Sequence, residues 1–289
     1  MRYRKIFEPF NAILQMHFKE FTLTSYKTQI YGASVQRDSV KGVVVLVHGF
    51  GEHWGRYTES VLPVLLDTGA AVVVYDNIGH GRSGGKRGHC PGYQALLDIL
   101  GQVVEKAGAL FPDTSVFLYG HSMGGNLVLN YAIRRDNRIK GIIATSPYLR
   151  LAFKIPAWKR LLGKAMLHIL PSFTLPSGLD PRGISRIAGE VDKYVSDPLV
   201  HDKVSPMFSF PIMEAGEWVI ANAEKLRLPL KLLHGTADPI IDHKGTLEFH
   251  QKAPKSDLTL FPGAYHELHH DLCGTEALEI IQNWLQQQL

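Results

Sequence analysis

A serine on a predicted sharp turn is the residue of this chain best placed to do chemistry. An apolar run ends in the sequence GHSMG at residues 120–124, a G-x-S-x-G pattern between a predicted strand and a predicted helix. Small flanking residues allow a tight turn, which presents the serine hydroxyl as a nucleophile. Because the chain contains 27 glycines, a chance serine in a glycine-rich turn is the alternative. The pattern predicts Ser122 as the nucleophile.

Candidate partners for this serine follow it in the chain. A serine hydroxyl needs a base, and a histidine base needs a carboxylate that holds its tautomer and stabilises the imidazolium. After one predicted strand comes HGTADPIID, with Asp238 and Asp242, and after the next comes PGAYHELHHD, with His266, His269 and His270. We choose Asp238 and His266 because each lies nearer to its strand end. Asp242 could instead cap the following helix.

Acyl transfer to a serine also requires two oriented hydrogen-bond donors for the oxyanion. The backbone N–H of Met123, directly after Ser122, is one candidate. The loop after the strand Val43–Val47 is expected to supply the other, through the backbone N–H of Phe50. His48 in the same loop is expected to brace it.

The C-terminal loop also contains a zinc-protease pattern. His266-Glu267-x-x-His270 satisfies H-E-x-x-H, in which a helix would place both histidines on one face, with Glu267 as general base. Glu276 or Glu279 would then be the third ligand. A Pro-Gly pair just upstream would keep His266 at or before the start of any helix. We therefore expect no metal, and the zinc metallopeptidase stays a remote alternative.

The elements that position these residues are predicted from alternating apolar runs and amphipathic stretches, typical of a mostly parallel, doubly wound α/β sheet. The predicted strands are Val43–Val47, Ala71–Tyr75, Val116–Tyr119, Ile142–Thr145, Leu230–Leu233 and Leu258–Phe261. The predicted helices are Tyr57–Thr68, Tyr93–Leu110, Asn126–Arg135 and Thr275–Leu289. An antiparallel hairpin, Phe18–Leu23 with Gln29–Val35, is expected at the sheet edge.

The alternation stops after Pro147 and resumes at Leu230. Residues 148–226 are expected to be a cap inserted over the C-terminal edge of the sheet, where open α/β sheets bind ligands. Residues 1–147 and 227–289 would together form the core, so the chain would be a single domain. Within the insertion, one side of a helix is apolar and the other cationic. The apolar side contains Trp158, Leu161, Leu162, Ala165, Met166, Ile169 and Phe173. The cationic side contains Lys159, Arg160, Lys164 and His168. The helix would either pack onto the body or contact a membrane surface.

Composition and charge exclude several other classes of protein. The 289 residues are 45% hydrophobic and 20% charged, enough for one large domain with a sizeable core. The net charge of +4 is scattered, so nucleic acid is not an expected partner. Cys90 and Cys273 are too far apart in the sequence to suggest a disulfide framework or a cysteine zinc site.

The N-terminal sequence bears on location. Charged residues and a proline interrupt it, leaving no apolar segment long enough for a signal peptide or a membrane span. We expect a cytoplasmic protein, with a peripheral position at the membrane surface as an alternative. Arg2, Arg4 and Lys5 would be solvated or would favour an anionic membrane surface.

Six segments together resemble the monoacylglycerol lipase and lysophospholipase group of the α/β hydrolases. They are HGFGEHWGRY (48–57), YDNIGHGRSGGKRGH (75–89), GHSMGG (120–125), EVDKYVSDPL (190–199), GTADPIID (235–242) and GAYHELHHD (263–271). The resemblance implies the α/β-hydrolase fold, with the cap after the sixth strand. It also implies hydrolysis of fatty acyl monoesters of glycerol through an acyl-enzyme on Ser122, without a cofactor. A lysophospholipase or broad-specificity carboxylesterase with the same triad, and a non-catalytic ligand-binding scaffold, are the alternatives.

The resemblance also implies a polar pocket for the substrate headgroup. Carried over position by position, its residues are Glu52, Arg56, His121, Tyr194 and His269. Glycerol hydroxyls need such convergent donors and acceptors in a buried site. Glu52 and Arg56 could instead form an ion pair that braces their loop.

One departure from the group concerns Phe50. Animal members have alanine there, in HGAGE, so a bulky side chain projects from the oxyanion loop while the N–H is kept. We expect Phe50 to reshape the entrance or the acyl pocket. The cap is the least similar part, and neither acyl length nor oligomeric state follows from the sequence.

Overall fold

A computed structural model describes residues 17–37, 39–135 and 138–289. The basic group Arg2, Arg4 and Lys5 lies outside the described residues. The strands are β1 (His17–Ser25), β2 (Thr28–Gln36), β3 (Gly42–Val47), β4 (Ala70–Tyr75), β5 (Ser115–His121), β6 (Ile139–Thr145), β7 (Leu175–Pro176), β8 (Lys203–Val204), β9 (Leu230–Gly235) and β10 (Ser256–Phe261). The α-helices are α1 (Val61–Asp67), α2 (Tyr93–Leu110), α3 (Met123–Arg134), α4 (Ala157–Ile169), α5 (Ala188–Ser196), α6 (Pro206–Ala221), α7 (His243–Lys252) and α8 (Gly274–Gln288).

The described strands form one large sheet in the order β1-β2-β4-β3-β5-β6-β9-β10. Pairs from β4 to β10 are parallel, while β1 pairs with β2 and β2 with β4 in antiparallel fashion. The predicted parallel sheet and the edge hairpin are therefore confirmed. Among the helices of the described residues, none has both the length and the apolarity needed to cross a membrane.

Strand β3 shows why the central strands read as continuous apolar runs. All its residues from Val43 to Val47 are fully buried. Val43 and Val45 pack with residues of α2 and α3 on one face, and Val44 and Leu46 pack with α1 and α8 on the other. Both sides of a parallel strand thus lie in apolar layers, so no polar alternation is needed.

The predicted segment between β6 and β9 contains α4, β7, α5, β8 and α6. Its C-terminal half is tied to loops of the sheet by backbone hydrogen bonds. The His201 N–H donates to the Gly51 carbonyl at 2.8 Å, and the Ser205 N–H donates to the Gly88 carbonyl at 2.9 Å. We refer to residues 148–226 as the inserted segment.

Helix α4 of the inserted segment leaves its apolar side in solvent. Leu161 and Ile169 are each 72% exposed, and Leu162 is 56% exposed. A Cβ on Gly163 would lie 2.6 Å from the Phe210 ring of α6, so at this glycine α4 packs closely against another helix of the inserted segment. The interpretation that the predicted apolar side packs onto the body is therefore wrong for these three residues.

The turn between β5 and α3 is tighter than the sequence predicts. Helix α3 begins at Met123, three residues before the predicted start, and only Ser122 separates it from the strand. A Cβ on Gly124 would lie 2.0 Å from the Val47 carbonyl oxygen, and one on Gly120 would lie 2.4 Å from the Gly124 carbonyl oxygen. Only glycine permits these close approaches of backbone to backbone.

We expect Gly124→Ala to destabilise the fold by about 2 kcal/mol or more, since its methyl group would displace the end of β3. Gly108→Ala in α2 is the matched control, because a Cβ there meets nothing within 4 Å. Alanine in a helix should then stabilise by roughly 0.5–1 kcal/mol. Urea unfolding of both variants measures the difference. Equal stability of the two variants would contradict this account of the turn.

Candidate active site

Ser122 lies at the carboxyl end of β5 with a backbone conformation that L-residues rarely adopt, φ 52° and ψ −113°. Its carbonyl accepts hydrogen bonds from the N–H groups of Asn126 at 3.0 Å and Tyr148 at 2.8 Å. Strained conformations of this kind persist only where the surroundings hold them. The Met123 N–H next to it is in the first turn of α3, where backbone N–H groups have no intrahelical acceptor.

Asp238 and His266, on the loops after β9 and β10, form a buried hydrogen-bonded pair. His266 Nδ1 lies 2.6 Å from Asp238 Oδ2, while Asp238 Oδ1 accepts the N–H groups of Ile240 at 2.8 Å and Ile241 at 3.0 Å. Burial opposes the charge of Asp238, but His266 and His234 outweigh it, so the pKa of this carboxyl is lowered. Burial also opposes protonation of His266, and the Asp238 carboxylate outweighs it, raising the pKa of the imidazole.

Ser122 and His266 line the same cavity of about 740 Å³ beneath the inserted segment. Among the described residues, no hydrogen bond joins their side chains. The His266 carbonyl accepts the Ser146 hydroxyl at 2.7 Å, which fixes the loop that carries the imidazole. Hydrogen bonds between nucleophile and base are often long without substrate and shorten in its complex.

The loop after β3 is braced from inside the protein. His48 Nε2 accepts the Asn77 N–H at 2.9 Å, so its proton is on Nδ1, which donates to the Gly49 carbonyl at 2.6 Å. Burial lowers the pKa of His48 to about 3, which keeps the ring neutral. His48 therefore has the bracing position expected from the sequence. The Phe50 ring lines the cavity and lies 4.9 Å from the Phe208 ring of α6, measured between centroids.

A buried cation lies between two carboxylates that line the cavity, Glu52 and Glu267. Arg56 Nη1 donates to Glu52 Oε2 and to Glu267 Oε1, both at 2.6 Å, and Nη2 donates to Glu267 Oε2 at 2.7 Å. The guanidinium also lies 4.6 Å from the centroid of the Tyr194 ring. Arg56 thus joins the loop after β3, the loop after β10 and the inserted segment, and it forms an ion pair with Glu52.

Glu52 links this cluster to the backbone of the loop after β3. Its Oε1 accepts the Gly49 N–H at 2.7 Å and the Tyr57 hydroxyl at 2.6 Å. Burial alone would raise the pKa of Glu267, but Arg56 and His270 outweigh it and hold that pKa well below its usual range. The two carboxylates with one guanidinium therefore form a fixed anionic wall.

The five predicted headgroup residues divide into two groups. Glu52, His121 and Tyr194 line the cavity, whereas Arg56 and His269 are not among its lining residues. His121 Nδ1 lies 3.1 Å from Thr145 Oγ1, and burial lowers the pKa of this imidazole well below its usual range. The His269 ring stacks on Tyr57 at 5.1 Å, and neither of its nitrogens has a partner among the described residues.

The family model described as serine aminopeptidase, S33 (Hydrolase_4) matches residues 38–272. The chain belongs to this family. A monoglyceride lipase of Rattus norvegicus is 33% identical over 86% of this chain and 84% of its own length. An uncharacterized abhydrolase domain-containing protein of Dictyostelium discoideum is 34% identical over 85% of this chain, which spans 26% of that relative.

Solved structures agree with the fold of this Hydrolase_4 chain. The crystal structure of a monoacylglycerol lipase of Paleococcus ferrophilus matches with a TM-score of 0.81 and 33% identity, over 96% of this chain and all of that one. The fold is the α/β-hydrolase fold, as the sequence resemblance implied.

The H-E-x-x-H pattern does not form the geometry of a zinc protease in this family member. His266 Nδ1 contacts Asp238, and the following turn is a 3-10 helix at Leu268–His270. A different set, Glu267, His269 and His270, brings potential ligand atoms within 4.8 Å of one another. Both Glu267 oxygens already accept from Arg56, whose positive charge disfavours a second cation there.

Sequence analysis missed two contacts of the site. Glu267 appeared only as the general base of the zinc alternative, yet it is the bidentate partner of Arg56, 211 residues away. His234 is not among the residues predicted from the sequence, although it lies four residues before Asp238 and its Nε2 is 3.2 Å from Asp238 Oδ2. The histidine at the start of HGTAD is the sequence signal for the contact between His234 and Asp238. No local sequence pattern indicates the contact between Arg56 and Glu267.

Removing the buried cation should destabilise the protein in a pH-dependent way. In Arg56→Met, two buried carboxylates would lose their partner, and we expect a loss of about 3–5 kcal/mol at pH 7. Without the guanidinium, the pKa of Glu267 in the folded state should exceed its unfolded value, so stability is lost as pH rises. The deficit relative to wild type should therefore shrink from pH 7 to pH 5.

Urea unfolding at both pH values tests this expectation. Lys252→Met is the matched control, because Lys252 pairs with Glu248 on the surface, with 42% and 40% of the side chains exposed. Exposed pairs of this kind contribute about 0–1 kcal/mol. An Arg56→Met deficit that grows on acidification would be the opposite of what buried carboxylates require.

Proposed function

We propose that this protein is a serine ester hydrolase that cleaves fatty acyl monoesters of glycerol. Ser122 is the nucleophile, His266 the general base and Asp238 the acid that orients it. The observation that carries the proposal is the buried 2.6 Å contact between His266 Nδ1 and Asp238 Oδ2, in a cavity that Ser122 also lines. Similarity to monoglyceride lipases supports the substrate class.

The proposed reaction has two steps. His266 Nε2 takes the Ser122 proton as Oγ attacks the ester carbonyl carbon, and the oxyanion accepts hydrogen bonds from the N–H groups of Phe50 and Met123. The C–O bond to glycerol breaks, and the leaving oxygen takes the proton from His266. Water, deprotonated by His266, then attacks the acyl carbon. The bond between that carbon and Ser122 Oγ breaks, Oγ takes the proton from His266, and the fatty acid leaves with the free serine restored. Protein groups alone perform both steps.

The charge of Asp238 supports this assignment. Because His266 Nδ1 donates to the Asp238 carboxylate, Nε2 is the nitrogen left to accept a proton. The carboxylate is ionised, since its pKa is lowered by the two histidines. It can therefore stabilise the imidazolium that forms as Ser122 is deprotonated.

The lining of the cavity contains groups suited to both parts of a monoacylglycerol. Glu52, His121 and Tyr194 would supply the polar groups for the glycerol hydroxyls. Apolar lining residues such as Phe208 and Ile212 of α6 would contact the acyl chain. In this proposal residues 148–226 are the cap of a single domain whose core is 1–147 and 227–289.

We expect Ser122→Ala to lower kcat for monoacylglycerols by at least about a thousandfold, because the nucleophile is lost. A fluorophosphonate probe should label the wild type and not this variant. Ser196→Ala, at an exposed position of α5, is the control and should retain labelling and turnover. Near-normal turnover by Ser122→Ala would overturn the mechanism.

A substrate panel tests the headgroup. Glycerol monoesters should have a higher kcat/KM than lysophospholipids and short aryl esters, since Glu52, His121 and Tyr194 can form hydrogen bonds with the glycerol hydroxyls. Preference for lysophospholipids would favour the phospholipase alternative, and equal rates would favour a broad carboxylesterase. Failure of the probe to label any serine would favour a non-catalytic scaffold. A chelator should leave turnover unchanged.

The exposed side of α4 supports peripheral contact with a lipid surface in the same proposal. Leu161, Leu162 and Ile169 are all more than half exposed on one helix. Apolar residues along one side of a helix bury themselves in the interface of a bilayer. Monoacylglycerols reside in such surfaces, so the contact would bring the cavity to its substrate.

The double variant Leu161→Ser/Ile169→Ser should bind phosphatidylcholine–phosphatidylglycerol vesicles about tenfold more weakly, because two apolar side chains no longer enter the lipid. Co-sedimentation measures this binding. Hydrolysis of a soluble aryl ester should stay unchanged. Leu272→Ser, which removes a 69% exposed leucine outside α4, is the control and should bind as the wild type does. Equal vesicle binding by the double variant would exclude α4 as the contact.

A further inference from the structure

A second histidine contacts the carboxylate of the proposed triad. His234, at the end of β9, is fully buried, and its Nε2 lies 3.2 Å from Asp238 Oδ2 and 3.3 Å from the Ile241 carbonyl oxygen. Its Nδ1 lies 2.8 Å from Thr246 Oγ1 of α7. His234 is thus held between the loop that contains Asp238 and helix α7, and it is not among the residues that line the cavity.

The partners of His234 determine its tautomer. Nε2 faces two oxygens that can only accept, a carboxylate and a backbone carbonyl, so the proton must be on Nε2. Nδ1 can then accept the Thr246 hydroxyl. Asp238 Oδ2 consequently accepts hydrogen bonds from both His234 and His266, while Oδ1 accepts two backbone N–H groups.

We propose that His234 is a positioning residue, whose Nε2–H shares Oδ2 of Asp238 with His266 and limits how strongly the carboxylate holds the His266 proton. The inference rests on the proposed function. With the second donor, the carboxylate has a fixed orientation and part of its charge is already neutralised. His266 therefore gives up its Nε2 proton at lower pH and is available as a base over a wider range.

Other charged groups near the two histidines stay the same when only His234 is changed. His266 is influenced by the carboxylates of Asp238, Glu267 and Glu52, and its ring lies 4.8 Å from that of His121. The His234 ring lies 6.4 Å from that of His243 on α7. A shift seen on changing His234 alone is therefore due to its contact with Asp238.

Two substitutions separate the two nitrogens of His234. The glutamine amide nitrogen is as many bonds from Cβ as Nε2, so His234→Gln retains a donor toward Asp238. The asparagine amide reaches only as far as Nδ1, so His234→Asn retains a partner for Thr246 and loses that donor. We expect the acid limb of kcat/KM to move to higher pH by roughly half to one unit in His234→Asn. In His234→Gln it should stay at the wild-type position.

A merely structural role predicts a different result. Loss of packing would lower activity at every pH, whereas the proposed role predicts recovery of His234→Asn at high pH. His250→Leu removes a half-buried histidine that contacts Ser256. In this variant the acid limb of the kcat/KM profile should stay at the wild-type pH. Identical limbs in the asparagine and glutamine variants, or a loss that is uniform across pH, would overturn the proposal.

A measurement without turnover keeps this test separate from that of the proposed function. The His266 imidazole can be titrated by NMR in the Ser122→Ala background, with and without His234→Asn. The His266 pKa should rise in the double variant. Full turnover by Ser122→Ala would refute the nucleophile and leave this titration readable, whereas an unmoved titration would refute the role of His234 alone.

Discussion

The contact between the first turn of α3 and the end of β3 is the constraint on which the site depends. Gly124 allows the helix to approach the Val47 carbonyl, where a Cβ would lie only 2.0 Å from the oxygen. This approach places Ser122 beside the loop that begins at His48. Ser122 and the loop after β3 are therefore positioned by one backbone contact, and Asp238 and His266 from the later strands are added around it.

Buried charge is the second organising factor, and it is placed where it can be satisfied. Arg56 pairs with two carboxylates that would be costly to bury without a cation. The oxygens of Asp238 accept four hydrogen bonds, two from histidines and two from backbone N–H groups. The buried carboxylates of Glu52, Glu267 and Asp238 are thus each fixed by local hydrogen bonds.

The sheet was predictable because its strands are buried on both faces, as Val43 and Val44 illustrate, and long apolar runs mark such strands. The edge location of Asp238 and His266 followed from the strand ends. The pairing of Arg56 with Glu267 did not, because it depends on how two loops pack after folding. The solvent exposure of Leu161 was equally unpredictable, since an apolar helix side has the same spacing whether it meets protein or solvent. The start of α3 was placed too late because glycines normally indicate a turn rather than a helix.

The two halves of the inserted segment differ in how freely their sequences can vary. Around β8 the backbone lies so close to the core that a Cβ on Gly88 would be 1.7 Å from the Lys203 carbonyl oxygen, so this half is constrained by the same loops that shape the active site. Helix α4 has far fewer such restraints on its outer side. Substitutions there can alter the surface of the protein without disturbing the loops that contain Ser122, Asp238 and His266. The sequence of this scaffold is therefore free to change mainly along α4.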